Sequence, residues 1–313
     1  MNSRLPPDPV SSEWVACPVC KAQVFSINML RLVIHKAAAL AVLAAASLVL
    51  AHADEPAAPE PAAVFQSYQE AANKGDAAAQ YQLAGCFSYG IGVAQDQEEA
   101  VKWLKKSAVQ GNTSAQVDLG TCYRLGTGVP ANPVKAARWY RKAADNGDPL
   151  AMNMLGCCYR DSVGVPMDRA MGARLYRQAA EMGQVDAQDN LGMCLSLGDG
   201  TPQDYAEALK WIRLAAKAGN LRAQCNLGAF YQGGKGLPKD DAESVKWFRK
   251  AAEQGSPEGI YRMGLAYLFG IGVPKDAEKA ANGINRAAAL GNRAAIDVQR
   301  KLNGGSGDAS ADP

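Results

Sequence analysis

The sequence predicts an all-α protein, an α/α solenoid superhelix of about six 36-residue helix–turn–helix repeats with half-repeat caps. A glycine recurs every 36 residues, at Gly75, Gly111, Gly147, Gly183, Gly219, Gly255 and Gly291. A leucine, once a methionine, precedes a small residue with the same period, at Leu83, Leu119, Leu155, Leu191, Leu227 and Met263. Because two separate features keep phase over six periods, chance does not explain them.

The residue after each period glycine, counted below as the first position of a repeat, predicts the start of a helix. These residues are Asp76, Asn112, Asp148, Gln184, Asn220, Ser256 and Asn292. A left-handed glycine ends one helix, and an Asp, Asn or Ser side chain accepts the first backbone N–H groups of the next. Such a tight turn forces two helices of about 13 residues to fold back on each other.

The first helix of each repeat carries an apolar stripe. In the second repeat it consists of Ala115, Leu119, Gly120 and Tyr123, at the fourth, eighth, ninth and twelfth positions. At 100° per residue these positions share one face, which predicts burial. A glycine in mid-helix costs about 1 kcal/mol relative to alanine. Its recurrence predicts that a neighbouring helix backbone approaches closely there.

A glycine loop followed by a capping residue separates the two helices. The caps are Asp96, Asn132, Asp168, Asp204, Asp240 and Asp276. Three of them precede a glutamate at the capping-box spacing, namely Glu99, Glu207 and Glu243. The second helix carries Trp103, Trp139, Trp211 or Trp247, which Leu175 replaces in the third repeat and Gly283 in the sixth.

Both ends of the array are predicted to carry caps. Val64 to Lys74 is predicted as an extra second helix and residues 293–302 as an extra first helix, so the solenoid spans residues 64–302. Residues 54–63 form a Pro/Ala-rich spacer, and residues 303–313 a disordered tail.

Residues 29–53 have the three parts of a secretory signal peptide: a basic start, an apolar run and a small-x-small site ending at Ala53. Cleavage there predicts a periplasmic or secreted protein without a stable membrane span; an uncleaved N-terminal anchor is the alternative. Residues 1–28 are then an extension, which is untranslated if the alternative start at Met29 is used. Its Cys17 and Cys20 resemble half a zinc knuckle, although a structural zinc takes four ligands.

Charge and histidine content limit the possible functions. The excess of two positive charges lies in residues 1–53, and basic and acidic residues are equal in number beyond them. A chain without a net positive charge has no electrostatic attraction for the phosphate backbone, so nucleic acid is not predicted as a partner. The two histidines, His35 and His52, also precede the cleavage site, so the mature chain has no histidine triad or histidine metal site. We therefore predict no catalytic residue, metal or cofactor.

The pattern resembles the Sel1-like repeats, which are relatives of tetratricopeptide repeats. The resemblance rests on the LGxxY segment from Leu119, the GxGVPxD segment from Gly126 (with Asn132 for Asp) and the AxxWYRKAAxxG segment from Ala136. It covers roughly residues 64–302. The resemblance implies a binding scaffold, and bacterial envelope members act as adaptors, as regulators of signalling or secretion, or in host contact.

Four cysteines recur with the same period: Cys86, Cys122, Cys158 and Cys194. Equivalent positions of stacked helices lie about 8–10 Å apart, whereas a disulfide needs Cα atoms within about 4.4–6.8 Å. The cysteine-rich branch of the family that this sequence resembles bridges the two helices of each repeat; here the second helices contain no cysteine, so that framework is absent. We expect small buried thiols. By the 100° arithmetic, Cys157 and Cys225 face differently and are expected to be exposed.

The sixth, tenth and thirteenth positions of the first helices lie opposite the apolar stripe and vary in chemistry between repeats. This variation predicts a surface adapted to one partner. The candidate residues are Tyr81, Arg124, Asn153, Arg160, Asp189, Gln232, Tyr261, Leu265 and Leu268.

The leading hypothesis is a monomeric, non-catalytic scaffold that binds a protein or peptide on its concave face and regulates signalling or secretion. An envelope hydrolase acting on β-lactams or peptidoglycan is the alternative, and a glycan-binding role in polysaccharide export is a third.

The cysteine analysis predicts that alkylation in denaturant without reductant labels Cys86, Cys122, Cys157, Cys158, Cys194 and Cys225 in full, because none forms a disulfide. Peptide mapping by mass spectrometry measures the label at each site, and a reduced and alkylated sample is the control. A site that is labelled only after reduction would contradict the prediction.

Overall fold

The computed structural model describes residues 60–304, which contain fourteen α-helices and no strand. The predicted all-α repeat fold is thereby confirmed. The helices are α1 (Pro61–Asn73), α2 (Ala77–Tyr89), α3 (Gln97–Val109), α4 (Thr113–Leu125), α5 (Pro133–Asp145), α6 (Pro149–Asp161), α7 (Arg169–Glu181), α8 (Val185–Leu197), α9 (Tyr205–Lys217), α10 (Leu221–Gly233), α11 (Asp241–Glu253), α12 (Pro257–Phe269), α13 (Ala277–Ala289) and α14 (Arg293–Gly304).

The chain divides into two compact units. The first ends at Asp168 and contains α1 to α6, and the second begins at Arg169 and contains α7 to α14. Within each unit a helix packs mainly on the helices directly before and after it in the chain. This order is that of a repeat stack, in which each pair of helices contacts only its neighbours.

The turns between repeats have the predicted chemistry. All seven period glycines have positive φ, between 83° and 98°. The side chain of Asp76 accepts a hydrogen bond from the Ala79 backbone N–H at 2.7 Å, and Asn112 accepts one from Ala115 at 2.9 Å. Each capping side chain accepts a hydrogen bond from a backbone N–H group that has no partner within the helix. The tight turn therefore does not leave this donor unpaired.

The turns within repeats confirm only half of the predicted capping box. Asp96 accepts from the Glu99 N–H at 2.9 Å. Its own N–H, however, donates to the Phe87 carbonyl at 2.9 Å, and the Glu99 carboxylate pairs with Lys102. The predicted reciprocal bond is therefore wrong, because the loop folds back and places a carbonyl of the preceding helix against the cap. Asp204 and Asp240 make the same backbone bond, to Leu195 and Tyr231.

Glycine permits a close approach at a mid-helix position in four of the repeats and at a loop position in all six. A Cβ at Gly120 would lie 2.7 Å from the Tyr140 ring, and one at Gly192 would lie 2.5 Å from Ile212. A neighbouring helix therefore crowds the mid-helix glycine as predicted, but a large side chain makes the shortest approach, and the backbone follows with the Ala136 and Ala208 carbonyl oxygens at 3.3 and 3.1 Å. In the loop, Gly128 has a φ of +66°, and a Cβ there would lie 2.1 Å from the carbonyl oxygen of Gln97. The loop glycine therefore touches the start of the preceding second helix.

A buried glutamine, not anticipated from the sequence, joins neighbouring repeats at the fifth position. Gln80 and Gln116 donate to the carbonyls of Ala72 and Ala108 at 3.1 and 3.0 Å. The Gln80 side-chain oxygen accepts from Gln110 at 2.8 Å. The glutamine thus donates a hydrogen bond to a carbonyl group at the end of the preceding helix. Its side-chain oxygen accepts one from the residue that ends the following helix. Gln188 and Gln224 donate in the same way to Ala180 and Ala216.

The helical ends differ slightly from the predicted boundaries. Helix α1 begins at Pro61, inside the predicted spacer, rather than at Val64. Proline is favoured in a first helical turn because its φ suits a helix and its missing N–H is not needed there. Helix α14 continues to Gly304, past Leu302. The predicted extension, signal peptide, Cys17/Cys20 pair, most of the spacer and residues 305–313 lie outside the described residues.

The close packing of Gly120 predicts opposite effects for two Gly→Ala substitutions. Gly120→Ala should destabilise by about 1–3 kcal/mol, because the new methyl group overlaps the fully buried Tyr140 ring. Gly85→Ala, with no atom within 4 Å of its Cβ, should stabilise by up to about 1 kcal/mol. Urea unfolding followed by circular dichroism measures both; equal effects would show that Gly120 is not crowded.

Candidate interaction surface

The candidate face on the first helices takes part in contacts between neighbouring repeats. In the first unit, the Tyr81 hydroxyl donates to the Asp118 carboxylate at 2.9 Å. In the second unit, the Asn226 amide donates to the Asp189 carboxylate at 2.8 Å. Both bonds join the sixth position of one repeat to the seventh position of the next. A side chain at the sixth position can therefore hold neighbouring repeats together instead of facing solvent.

Burial corrects four of the expectations for this face. Asn153 and Asp189, predicted as partner-binding residues, are both fully buried. Cys157 and Cys225, expected to be exposed, are only 5% and 6% exposed. The angular positions of these residues predict exposure only if a first helix is covered solely by the second helix of its own repeat. A first helix in a stack is also flanked by neighbouring repeats, so a larger part of its circumference is covered.

The buried carboxylate of Asp189 is compensated by side chains of α10. It forms an ion pair with the Arg222 guanidinium and accepts a second hydrogen bond from Asn226. Arg222 also donates to the Asn190 side-chain oxygen at 2.7 Å. Since a buried charge is tolerated only when it is paired and hydrogen-bonded, this cluster has a structural role.

The remaining candidates lie at or near the surface. Arg160 forms two hydrogen bonds with the adjacent Asp161, at 2.8 and 3.0 Å, and Arg124 donates from Nε to the Tyr140 hydroxyl at 3.4 Å. Both guanidinium groups are therefore already engaged within the first unit. Gln232, Tyr261 and Leu265 are half-buried, and Leu268 is 41% exposed.

A cleft of about 200 Å³ in the first unit brings several candidate positions together. Tyr81, Gly85 and Ser88 of α2 face Asp118, Thr121 and Cys122 of α4 across it, and Ala84 and Leu104 add apolar surface. The variable sixth, tenth and thirteenth positions predict Tyr81 and its neighbours as site residues, but they do not include Asp118. The aspartate lies at the seventh position, next to those selected, and only the pairing of two repeats brings it to the cleft.

Three of the cysteine thiols in the described residues are poor nucleophiles. Burial, reinforced by the nearby Asp118 carboxylate, raises the pKa of Cys122 to about 12. Burial also raises the pKa values of Cys158 and Cys225 to about 12. The six cysteines of residues 60–304 form no disulfide, as expected, and thiols with such pKa values remain protonated near neutral pH.

The described part of the chain contains neither a cluster of metal ligands nor a membrane-spanning helix. No group of three or more His, Cys, Asp or Glu side chains between residues 60 and 304 is placed to hold a metal ion. None of the helices in that range combines the length and hydrophobicity needed to cross a bilayer.

Comparison with known families decides what kind of repeat this is. Six consecutive segments match the Sel1 repeat, at residues 77–112, 113–148, 149–184, 185–220, 221–256 and 257–292. The chain belongs to the Sel1 repeat family. Members of this family are generally scaffolds for protein interaction rather than enzymes. No curated protein matches the chain.

Two solved Sel1 structures are similar to this one. Protein c5321, described as a protective antigen of uropathogenic Escherichia coli strains with an SLR fold, is 34% identical with a TM-score of 0.67. The match covers 79% of this chain but only 53% of that protein. A Sel1 repeat protein from Oxalobacter formigenes is 27% identical with a TM-score of 0.66, over 73% of this chain and 97% of that one.

The Asp189 cluster predicts a large effect of Arg222→Ala. Removing the guanidinium leaves a fully buried carboxylate without its ionic partner and should cost about 3–5 kcal/mol. Arg262→Ala is the matched control, because Glu258, its partner, is 41% exposed and the pair is worth at most about 1 kcal/mol. Urea unfolding of both variants makes the comparison; similar losses would argue against a structural ion pair.

Proposed function

We propose that this Sel1 repeat protein is a non-catalytic scaffold of the cell envelope that binds an extended segment of another protein along its first helices. The proposal includes export after cleavage at Ala53, a monomeric state, and a role in regulating signalling or secretion. It rests mainly on the cleft between α2 and α4, which combines a half-buried polar wall with an apolar floor.

The polar wall of this cleft suits a polypeptide ligand. Ser88 and Thr121 supply hydroxyl groups that can donate to or accept from a peptide backbone. The Asp118 carboxylate, already held by the Tyr81 hydroxyl, adds a fixed negative charge. No lysine or arginine lines the cleft. We therefore propose a segment that presents a lysine, arginine or amide side chain toward Asp118.

The apolar floor supplies the other requirement of a peptide site. Leu104 is 5% exposed and Ala84 is 1% exposed, so both are fixed by the core behind them. A preformed surface costs little conformational entropy when it binds, because its side chains are already ordered. Such a surface supports many shallow contacts and does not require a single deep pocket.

The apolar positions of α12 offer a separate contact in the second unit. Leu268 and its neighbour Phe269 are 41% and 48% exposed, and Tyr261 and Leu265 are half-buried on the same helix. Adjacent exposed apolar side chains favour contact with another protein. We propose that this patch adds affinity, while Arg124 and Arg160, which are engaged internally, contribute less than the sequence predicts.

The cleft predicts that Gly85→Trp abolishes partner capture. No atom lies within 4 Å of a Cβ at Gly85, so the indole can be accommodated while it fills the space between Ser88 and Thr121. Ala78→Trp, on the exposed side of the same helix, is the matched control. Crosslinked envelope extracts, captured with each variant and quantified by mass spectrometry, should yield proteins retained by wild type and Ala78→Trp and lost from Gly85→Trp.

Two results would overturn the proposal. Identical protein sets from both tryptophan variants, with helicity unchanged, would exclude the cleft. Turnover of nitrocefin or peptidoglycan by the purified protein would contradict the non-catalytic assignment.

A further inference from the structure

The second unit carries a groove around Gly283 where other repeats have a tryptophan. We infer that this groove is a second docking site, which accepts an aromatic side chain next to a carboxylate from a partner polypeptide. The inference does not depend on the cleft between α2 and α4, because it concerns other residues in another unit.

Three repeats show how the position is normally filled. Trp103, Trp139 and Trp247 each have a lysine three residues later on the same helix. The ammonium groups of Lys106, Lys142 and Lys250 lie 3.5, 4.5 and 4.2 Å from the respective ring centroids. An aromatic ring under a cation is therefore a recurring arrangement of these second helices, and a favourable one.

The sixth repeat has the cation but lacks the ring. Gly283 occupies the tryptophan position, 36 residues after Trp247, and Arg286 occupies the lysine position. A groove of about 270 Å³ lies here, between α12 and α13. Ile260 and Met263, which are 4% and 8% exposed, contribute apolar surface, and the Tyr267 ring lines the groove beside them.

Charge favours an acidic partner. Lys279 occupies the position at which the first, fourth and fifth repeats have Glu99, Glu207 and Glu243, and the second has Lys135. In the fourth repeat that glutamate accepts a hydrogen bond from the Trp211 indole at 3.2 Å. In the sixth repeat Lys279 and Arg286 both line the groove, and no carboxylate does. Lys279 is paired with Asp276 at 2.9 Å, which leaves Arg286 as the main anchor for an incoming carboxylate.

The groove therefore combines a position without a side chain where four repeats have an indole, a guanidinium at the position of the ring-covering lysines, and a positive rim. A free aliphatic side chain would use only the apolar surface. An aromatic side chain with a nearby carboxylate uses all three, because a guanidinium stacks on rings and also binds carboxylates.

Small tryptophan derivatives test the groove directly on the full chain. N-acetyl-L-tryptophan should bind with a Kd of roughly 0.1–1 mM, as expected for a ligand of this size. N-acetyl-L-tryptophanamide, which lacks the carboxylate, should bind about three- to fivefold more weakly. N-acetyl-L-leucine should bind weakest. Isothermal titration calorimetry measures the affinities, and transferred saturation in NMR identifies the protons in contact.

Variants locate the binding. Arg286→Gln should remove the preference for the acid over the amide, whereas Lys250→Gln, next to the filled Trp247 position, should leave it unchanged. Gly283→Trp should block binding by restoring the ring. Because a Cβ there would lie 3.1 Å from the Gly264 Cα, Asn282→Trp, from an exposed position on the rim, is the second blocking variant.

The proposal would be overturned by equal affinity for the leucine and tryptophan derivatives, or by binding that neither Arg286→Gln nor Asn282→Trp affects. It would also be overturned if sedimentation velocity showed a dimer that Asn282→Trp dissociates, because the groove would then bind a second copy of the chain. Gly85→Trp should leave probe binding unchanged, so failure here is distinguishable from failure of the cleft.

Discussion

In the second, fourth, fifth and sixth repeats, the packing of the two helices depends on the absence of a side chain at one position of the first helix. At Gly192 and Gly228, a Cβ would lie 2.5 and 2.6 Å from the side chains of Ile212 and Phe248, which are almost fully buried. A large residue of the second helix therefore rests directly on the backbone of the first. A single such pair is too thin to cover its own apolar faces, so it must stack on further pairs.

The sequence predicts the parts of the fold that are encoded within one repeat. The caps such as Asp76 and the positive-φ glycines depend on residues a few positions apart, and each behaves as expected. Asp189 and Cys225 are buried although their angular positions on the helix predict exposure, because residues of the neighbouring repeat surround them. The glutamines equivalent to Gln80 recur with the same period, so the sequence could have identified them as structural residues. Their hydrogen bond to the end of the preceding helix, however, is evident only from the structure.

Variable chemistry at the sixth position proved to be a weaker indicator of a binding surface than the sequence suggested. Asp189 is paired with Arg222 and Asn226 of the next repeat, and the cluster is internal. Tyr81 also bonds to the next repeat, through Asp118, yet it borders an open cleft. Differences between repeats at this position can therefore arise from contacts between neighbouring repeats as well as from contacts with a partner. Burial separates the two cases, which is why the proposed site keeps Tyr81 and loses Asp189.

A repeat protein contains its own comparison set, so a departure from the pattern can be interpreted from the sibling repeats. Two repeats lack the second-helix tryptophan. Leu175 is 9% exposed and still fills the core with an apolar side chain, so its substitution preserves packing. Gly283 supplies no side chain at all, its neighbour Ile284 remains 2% exposed, and the vacated space opens beside Arg286. A loss of packing that serves no purpose would be expected to recruit another apolar residue, as the third repeat did. The sixth repeat instead combines the loss with Lys279, at a position where three repeats have glutamate and the second repeat, with Trp139 in place, has Lys135. Only the sixth repeat joins a cation at this position to the absence of a large side chain, and this combination favours an external ligand over simple decay of the repeat.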